Sequence, residues 1–184
     1  MKKLIINNSA YPKKLKEISN PPEKLYVDGN LENLNSACLA VIGSRKCTEY
    51  GEKWCKCFVK ELVKYGITIV SGMAIGIDSI AHRTALKYGG RTIAVLPCGL
   101  NKIYPEQNRS LYNSILKYNG TVITEYDSNI EAMNNYFLER NRIVSGLSMG
   151  VLVVEAAYRS GTSVTARLAL AQKRDVFCIP RKFG

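Results

Sequence analysis

Short apolar runs recur along the chain from residue 38 onwards, and segments with helical spacing separate them. The runs are nearly continuous in Val, Ile, Leu and Ala, which is typical of strands buried on both faces of a parallel sheet. The predicted strands cover residues 38–43, 68–71, 92–96, 121–124, 150–154 and 176–179. The predicted helices between them cover residues 49–65, 76–88, 108–118, 136–146 and 162–172. This alternation predicts an α/β fold of the extended Rossmann-like kind, a mainly parallel, twisted sheet with helices on both faces.

The first 36 residues do not follow this pattern, because prolines at positions 12, 21 and 22 and an Asp-Gly step punctuate them. For residues 1–36 we predict an irregular lead-in packed on the core, with a helix at 12–18 and a short strand at 24–27. Residues 37–184 are predicted to form one Rossmann-like core domain, since 184 residues are enough to bury a core without disulfides or metals. No separate N-terminal helical domain or C-terminal winged-helix domain is expected within this sequence.

The chain carries a formal net charge of +11 at pH 7, with a pI of about 9.4. Such an excess favours a polyanion such as nucleic acid, or an anionic membrane surface. Six cysteines without an export signal indicate reduced thiols. One Cys-x-Cys pair and a single histidine do not make a zinc-binding pattern, so no metal and no cofactor are predicted. The first apolar stretch is too short for a signal peptide or a membrane span, and we expect a cytoplasmic protein without a membrane partner.

Small polar residues follow the predicted strands, and parallel strands end at a common edge where ligands bind. They are Gly43, Ser44 and Arg45 after the first strand, Ser71 and Gly72 after the second, and Ser160, Gly161 and Thr162 after the fifth. Glycine-containing turns that open a helix present backbone N–H groups to a phosphate. We therefore predict a phosphate site at this edge; the alternative is that the glycines only satisfy backbone geometry.

Arg45 is predicted to hold a phosphate through two parallel hydrogen bonds, a geometry that lysine lacks. The alternative is an ion pair with Glu49 on the following helix. The segment YFLERNRIV adds an aromatic ring, two cations and an amide to the same edge: Phe137, Arg140, Arg142 and Asn141. Cations beside an aromatic ring suit a single strand, because charge holds the backbone while a base stacks. The alternative for Phe137 is simple core packing.

No catalytic set of comparable clarity is present, and we predict a protein that is not an enzyme. Asp78 and His82 are four residues apart on one predicted helix, so a contact between them explains both. Glu125 and Glu155 follow predicted strands and could act as paired carboxylates on a glycosidic bond. They could equally orient Arg140 or Arg142.

Several motifs occur in order along nearly the whole chain: VIGSRKCTEYG, SGMAIGIDSIAH, FLERNRIVSGLS and SGTSVTA. As a set they resemble the DNA-processing protein A family, also called DprA or Smf. The resemblance implies a Rossmann-like, homodimeric protein that binds single-stranded DNA and helps to load the recombinase RecA during natural transformation. It also implies that Gly43, Ser44 and Arg45 form a phosphate-binding turn. Ser71, Gly72, Phe137, Arg140, Asn141 and Arg142 are implied as the other walls of that pocket.

A second hypothesis places a free nucleotide at the same edge. The DprA fold is similar to that of LOG-type phosphoribohydrolases, which cleave nucleoside monophosphates, and a nucleotide sensor is a variant of this idea. Arg45 and the turn 160–162 would then hold the 5'-phosphate, with Glu155 or Glu125 near the ribose. Those enzymes carry the signature PGGxGTxxE, whereas this chain reads RSGTSVT at the corresponding turn, which makes this hypothesis the weaker one.

Overall fold

One eight-stranded sheet organises the part of the chain that this computed structural model describes, residues 1–157 and 160–180. Its strands are β1 (Lys2–Ile5), β2 (Lys24–Gly29), β3 (Cys38–Gly43), β4 (Thr68–Ser71), β5 (Thr92–Val95), β6 (Thr121–Thr124), β7 (Gly150–Glu155) and β8 (Asp175–Cys178). The spatial order is β1-β2-β6-β5-β4-β3-β7-β8. Strands β3 to β8 pair in parallel, whereas β1 and β2 are antiparallel to their neighbours.

Helices cover both faces of this sheet. They are α1 (Lys13–Lys16), α2 (Glu49–Lys64), α3 (Ile77–Lys87), α4 (Arg109–Lys117), α5 (Asn134–Leu147) and α6 (Gly161–Ala171), with short 3₁₀ helices at Leu31–Asn35 and Glu106–Asn108. Helices α2, α3 and α4 pack side by side on one face, and α1, α5 and α6 pack on the other. The predicted Rossmann-like α/β fold is confirmed. No helix among the described residues combines the length and apolar character needed to cross a bilayer.

The sequence pattern located the central elements within two residues at each end, because nearly every residue of β4, β5 and β6 is buried and reads as an apolar run. The N-terminal segment differs from the expected irregular lead-in. It contributes two strands, and β2 pairs with β6 from Tyr26 opposite Thr124 to Gly29 opposite Thr121. Leu15, Leu25 and Val27 belong to the same buried cluster as the central strands. The sheet therefore runs without interruption across the predicted border at residues 36 and 37.

The order of the strands reverses between β3 and β7. From β3 the chain adds β4, β5 and β6 on one side, then returns to add β7 and β8 on the other. Such a topological switch point opens a crevice at the carboxyl ends of the strands. The pairing of β3 with β7 also shifts register between Ile42 and Gly43, at the mouth of this crevice. The fold thus provides a binding position before any side chain is considered.

Candidate functional site

An open pocket with a volume of about 890 Å³ occupies the switch point. Ten of the twelve predicted site residues line it: Gly43, Ser44, Arg45, Gly72, Phe137, Arg140, Asn141, Ser160, Gly161 and Thr162. They come from the β3–α2 turn, the β4–α3 turn, helix α5 and the start of α6. Because these segments are far apart in sequence, only the parallel sheet brings them together. Residues 158 and 159, which include part of the RSGTSVT turn, lie outside the described residues.

The β3–α2 turn is fixed by its own hydrogen bonds and by the start of α3. The Ser44 hydroxyl accepts from the Lys46 amide at 3.1 Å and donates to the Lys46 carbonyl at 2.9 Å. The Ser44 carbonyl accepts from the Ile77 amide at 3.1 Å. Gly76 has φ +81°, and a Cβ there would collide with the Ser44 and Arg45 carbonyl oxygens. The two turns can approach this closely only because residue 76 is glycine.

Arg45 extends from this turn towards an aromatic wall. Its guanidinium carbon lies 5.2 Å from the centroid of the Phe137 ring, so the described contact of Arg45 is with that ring and not with Glu49. Phe137 is half-buried, and Tyr104 meets it edge-on with ring centroids 5.3 Å apart. A side pocket of about 150 Å³ continues past these rings. Phe137 is therefore part of the pocket wall rather than of the core.

Arg140 forms the floor of the pocket. Its Nη1 donates to the Gly72 carbonyl at 2.6 Å and also to the Val95 carbonyl, and its Nε donates to the Asn141 side chain at 3.2 Å. A Cβ on residue 72 would overlap this guanidinium. Burial lowers the pKa of Arg140 below its usual value, and the nearby Asp78 acts in the opposite direction. Among the described residues Nη2 has no hydrogen-bond partner, so part of this cation remains available to a ligand.

The structure does not bring Ser71 and Arg142 to the pocket. The Ser71 hydroxyl is buried and donates to the Val41 carbonyl at 2.7 Å. Arg142 forms a two-pronged pair with Glu125, at 2.6 and 2.7 Å, and its Nε donates to the Asn20 carbonyl at 3.0 Å. Side chains two positions apart on a helix point about 200° apart, so Arg140 and Arg142 cannot serve one pocket. Neither residue lines the pocket, whereas the alternative pairing of Glu125 with Arg142 is present in the structure.

Asp78 and His82 do not contact each other, contrary to the sequence interpretation. Asp78, in the first turn of α3, accepts from the Gly72 and Ala74 amides at 3.2 and 3.4 Å. Its carboxylate thereby fixes the β4–α3 turn, and burial raises its pKa above the usual value. His82 instead points into the sheet, where its Nδ1 lies 2.6 Å from the Thr92 hydroxyl. Helical spacing allowed the pair, but the free amides of the turn were the closer partners.

Of the two glutamates that follow predicted strands, Glu155 lines the pocket and Glu125 does not. The Glu155 carboxylate accepts from the Thr48 amide at 3.0 Å and from its hydroxyl at 3.1 Å. It thus fixes the residue that caps α2, while Glu125 is engaged with Arg142. At the third turn, Ser160 caps α6, and Asn141 donates to the Gly161 carbonyl at 3.4 Å. Within the described part of the chain, no three His, Cys, Asp or Glu side chains lie close enough to hold a metal ion.

The family model for DNA recombination-mediator protein A matches residues 2–184. This chain belongs to that family. Protein Smf of Escherichia coli strain K12 is 47% identical over 178 residues, which are 97% of this chain and 48% of that protein. DNA processing protein DprA of Streptococcus pneumoniae is 41% identical over 95% of this chain and 61% of its own length. The chain spans about half the length of the curated relatives it matches.

Solved structures of DNA processing protein A superpose closely on this member of the family. The Streptococcus pneumoniae protein has a TM-score of 0.93 at 39% identity and covers 99% of this chain and 64% of its own. The Helicobacter pylori protein, whose structure concerns its single-stranded DNA binding mode, has a TM-score of 0.90 at 34% identity, with 100% of this chain and 83% of its own covered. A molybdenum cofactor carrier from Chlamydomonas reinhardtii, at 19% identity and TM-score 0.55, shares only the fold.

Sequence reasoning did not find every residue around the pocket of this family member. Tyr104, Lys46 and Leu138 line it without having been predicted. Tyr104 follows β5, so its place at the carboxyl edge of the sheet was a usable signal. Lys46 adjoins Arg45 and adds a second flexible cation to the rim. Leu138 is 51% exposed beside Phe137, and no sequence periodicity marks it because the wall of a pocket is neither core nor open surface.

Proposed function

We propose that this chain is a single-stranded DNA-binding protein of the DprA/Smf type. The observation that carries the proposal is the open basic pocket at the switch point, in which Arg45 lies over the Phe137 ring. Family membership and the single-stranded DNA binding mode studied in the Helicobacter pylori relative support the same ligand. The net charge of +11 adds a sequence-independent attraction to any strand.

In the proposed mode of binding, charge holds the backbone and rings hold a base. Arg45 and Lys46 on the rim neutralise phosphates, and amides at the turns 43–45 and 160–162 donate to phosphate oxygens. The exposed faces of Phe137 and Tyr104 accept a stacked base. Arg140 beneath them keeps positive potential in the floor while its own hydrogen bonds fix Gly72 and Asn141. No covalent step is needed, and the proposed protein is a binder rather than an enzyme.

The proposed cellular role is that of the family. It comprises protection of incoming single strands and loading of RecA in natural transformation or recombination, by a cytoplasmic homodimer. Support for these points comes from the resemblance of this chain to DprA and Smf proteins. The free-nucleotide hypothesis has less support, because Glu125 lies outside the pocket lining and Glu155 is already engaged by Thr48.

A fluorescence-anisotropy titration with labelled oligo-dT tests the proposal. We expect Arg45→Ala to weaken binding about tenfold, and to lower the slope of log affinity against log salt by about 0.7, the value for one lost phosphate contact on a single strand. Arg83→Ala, which removes an exposed arginine of α3 outside the pocket lining, is the matched control and should bind like the wild type. Unchanged binding by folded Arg45→Ala, or displacement of the strand by AMP at low concentration, would contradict the proposal.

A further inference from the structure

Three neighbouring helices end in the same way, at the edge of the sheet opposite the pocket. The last residue of α2, α3 and α4 is a lysine, a tyrosine follows as the C-cap, and a left-handed residue comes next. The left-handed residues are Gly66 (φ +74°), Gly89 (φ +71°) and Asn119 (φ +61°). Such residues end helices, and a cation stabilises a helix C-terminus. Helix termination therefore accounts for the lysines and for the left-handed residues, but not for three tyrosines.

The three tyrosine rings are open to solvent rather than packed. Tyr65 is 83% exposed, Tyr88 44% and Tyr118 58%. A side chain that packs against the fold has most of its surface covered, whereas at least 44% of each of these tyrosines is exposed. Since α2, α3 and α4 lie side by side on one face of the sheet, their C-termini place the rings in a row along the amino ends of the strands. Neighbouring helix axes are about 8–10 Å apart, so the row spans about 20 Å.

Cations lie between and above these rings. Lys60 and Lys87 place their Nζ atoms 5.4 and 5.9 Å from the centroid of the Tyr88 ring, and Lys117 lies 5.6 Å from that of Tyr118. Arg91 donates to the Gly66 carbonyl at 3.2 Å and so ties the ends of α2 and α3 together. We call this the tyrosine surface, made of Lys60, Lys64, Tyr65, Lys87, Tyr88, Arg91, Lys117 and Tyr118. Among the described residues, Lys64 alone of its five cations pairs with a carboxylate, that of Glu61 at 2.7 Å.

We propose that the tyrosine surface is a second contact surface for single-stranded nucleic acid, separate from the pocket. Rings that alternate with cations, of which only Lys64 has a carboxylate partner within the described chain, match the alternation of bases and phosphates along a strand whose bases are unstacked. A duplex offers the same phosphates but hides the faces of its bases, so the exposed rings favour a single strand. The proposal goes beyond the pocket function and does not depend on it, since the two surfaces lie at opposite ends of the parallel strands.

The test is a set of variants measured by anisotropy with an oligo-dT of about 30 nucleotides, longer than the roughly 4–16 nucleotides that one binding fold occupies. The variant Tyr65→Ala, Tyr88→Ala, Tyr118→Ala is compared with the corresponding triple Phe variant, which keeps the rings. Each is made in the wild type and with Arg45→Ala. We expect the triple Ala variant to lose about tenfold or more in affinity in both backgrounds, and the triple Phe variant to retain it.

The factorial design separates the two surfaces. The effect of Arg45→Ala reports on the pocket, and that of the triple Ala variant reports on the tyrosine surface, so either can fail alone. Circular dichroism and thermal melting establish that each variant is folded. Unchanged strand affinity in the folded triple Ala variant would overturn the proposal, as would equal losses in the Ala and Phe variants. Co-sedimentation with phosphatidylserine vesicles is the last measurement of the test. If the triple Ala variant lost vesicle binding but kept its strand affinity, the proposal would be overturned in favour of a membrane-binding surface.

Discussion

Arg140 and Arg142 show how two residues of one motif acquire different roles. Both were expected to hold phosphate, but helix α5 turns one towards Gly72 and the other towards Glu125. The Arg142 and Glu125 side chains are only 15% and 17% exposed, so their pair is screened little by solvent. At the scale of single residues, burial and hydrogen-bond partners decide whether a cation serves the fold or a ligand.

Arg142→Ala should therefore lower stability without lowering strand affinity. We expect a loss of about 2 kcal/mol in the free energy of unfolding, because the variant leaves the Glu125 carboxylate without its partner in a mostly buried place. Urea denaturation measures this loss. Arg109→Ala removes an exposed arginine paired with Glu106 and should leave the unfolding midpoint almost unchanged. Weakened oligo-dT binding by folded Arg142→Ala would return Arg142 to the binding site.

His82 makes stability depend on pH. It is fully buried, its Nδ1 lies 2.6 Å from the Thr92 hydroxyl, and its Nε2 has no partner among the described residues. Because the Thr92 hydroxyl donates to the Ile69 carbonyl, we assign the proton of the His82–Thr92 bond to Nδ1. Burial lowers the pKa of His82 from 6.5 to about 3. Between about pH 6.5 and pH 3, His82 is therefore protonated in the unfolded chain but neutral in the folded chain. The contribution of His82 to the free energy of unfolding is fully present above pH 6.5. It is lost as the pH falls towards 3, by up to about 1.4 kcal/mol per pH unit.

The measurement is the free energy of unfolding in urea between about pH 5 and 7.5, for the wild type and for His82→Gln. The wild type should lose stability towards pH 5 with a steeper slope than the variant. Asp78, whose pKa is raised by burial, acts in the opposite direction at lower pH, but it is common to both proteins. Because the chain has one histidine, a single imidazole resonance reports the titration. A midpoint near pH 6.5 in the folded protein would show that His82 is not buried as described.

Among the elements, the β4–α3 turn has the most constraints. Asp78 accepts two of its amides, Asn108 donates to the Met73 carbonyl at 2.8 Å, and Met73 itself has φ +56°. The same turn receives the Ser44 carbonyl through the Ile77 amide. The bonds from Asp78 are local, whereas those that involve Asn108 and Ser44 join segments more than 30 residues apart in sequence. The turn therefore sets the position of Arg45 although it contains no cation.

Gly76→Ala tests this coupling between the two turns. A methyl group at residue 76 would meet the Ser44 and Arg45 carbonyls, and φ +81° is unfavourable for alanine. We expect a loss of about 2 kcal/mol or more in the free energy of unfolding, together with weaker oligo-dT binding. Gly66→Ala is the matched control, because it has a similar positive φ but open space around its Cβ. Gly66→Ala should lose stability while keeping the contribution of Arg45 to affinity, measured as the further loss on Arg45→Ala. Normal binding by Gly76→Ala would show that the turns are independent.

For the whole molecule, the sheet decides where the folding unit begins. Strand β2 covers the edge of β6, and Tyr11 donates to the Pro22 carbonyl at 2.6 Å to close the N-terminal segment on itself. Leu15 and Leu25 are fully buried in the main core. The first 36 residues are thus part of one folding unit with the rest of the described chain.

A chain that begins at residue 37 should accordingly fail to fold. Loss of residues 1–36 uncovers the apolar residues that pack against β2 and leaves an unpaired edge on β6, which favours aggregation. Removal of residues 1–9 alone takes away the outer strand β1 and is expected to give a soluble protein of lower stability. Circular dichroism and size-exclusion chromatography distinguish the two. A monomeric, cooperatively unfolding chain from residue 37 would restore the predicted border.

The sequence by itself determined the parallel core, the edge of the sheet that carries the pocket and most of the residues that line it. Buried strands must be continuously apolar and tight strand-to-helix turns need small residues, so both can be recognised from short local sequence patterns. Only the tertiary structure decided which side chains reach the pocket. Ser71 and Arg142 were predicted to line the phosphate site, and Asp78 and His82 to contact each other. Their hydrogen bonds instead go to segments 10 to 30 residues away or, for Asp78, to free backbone amides. Such choices depend on the direction in which each element presents its side chains, and that direction is fixed only when the sheet and its helices pack.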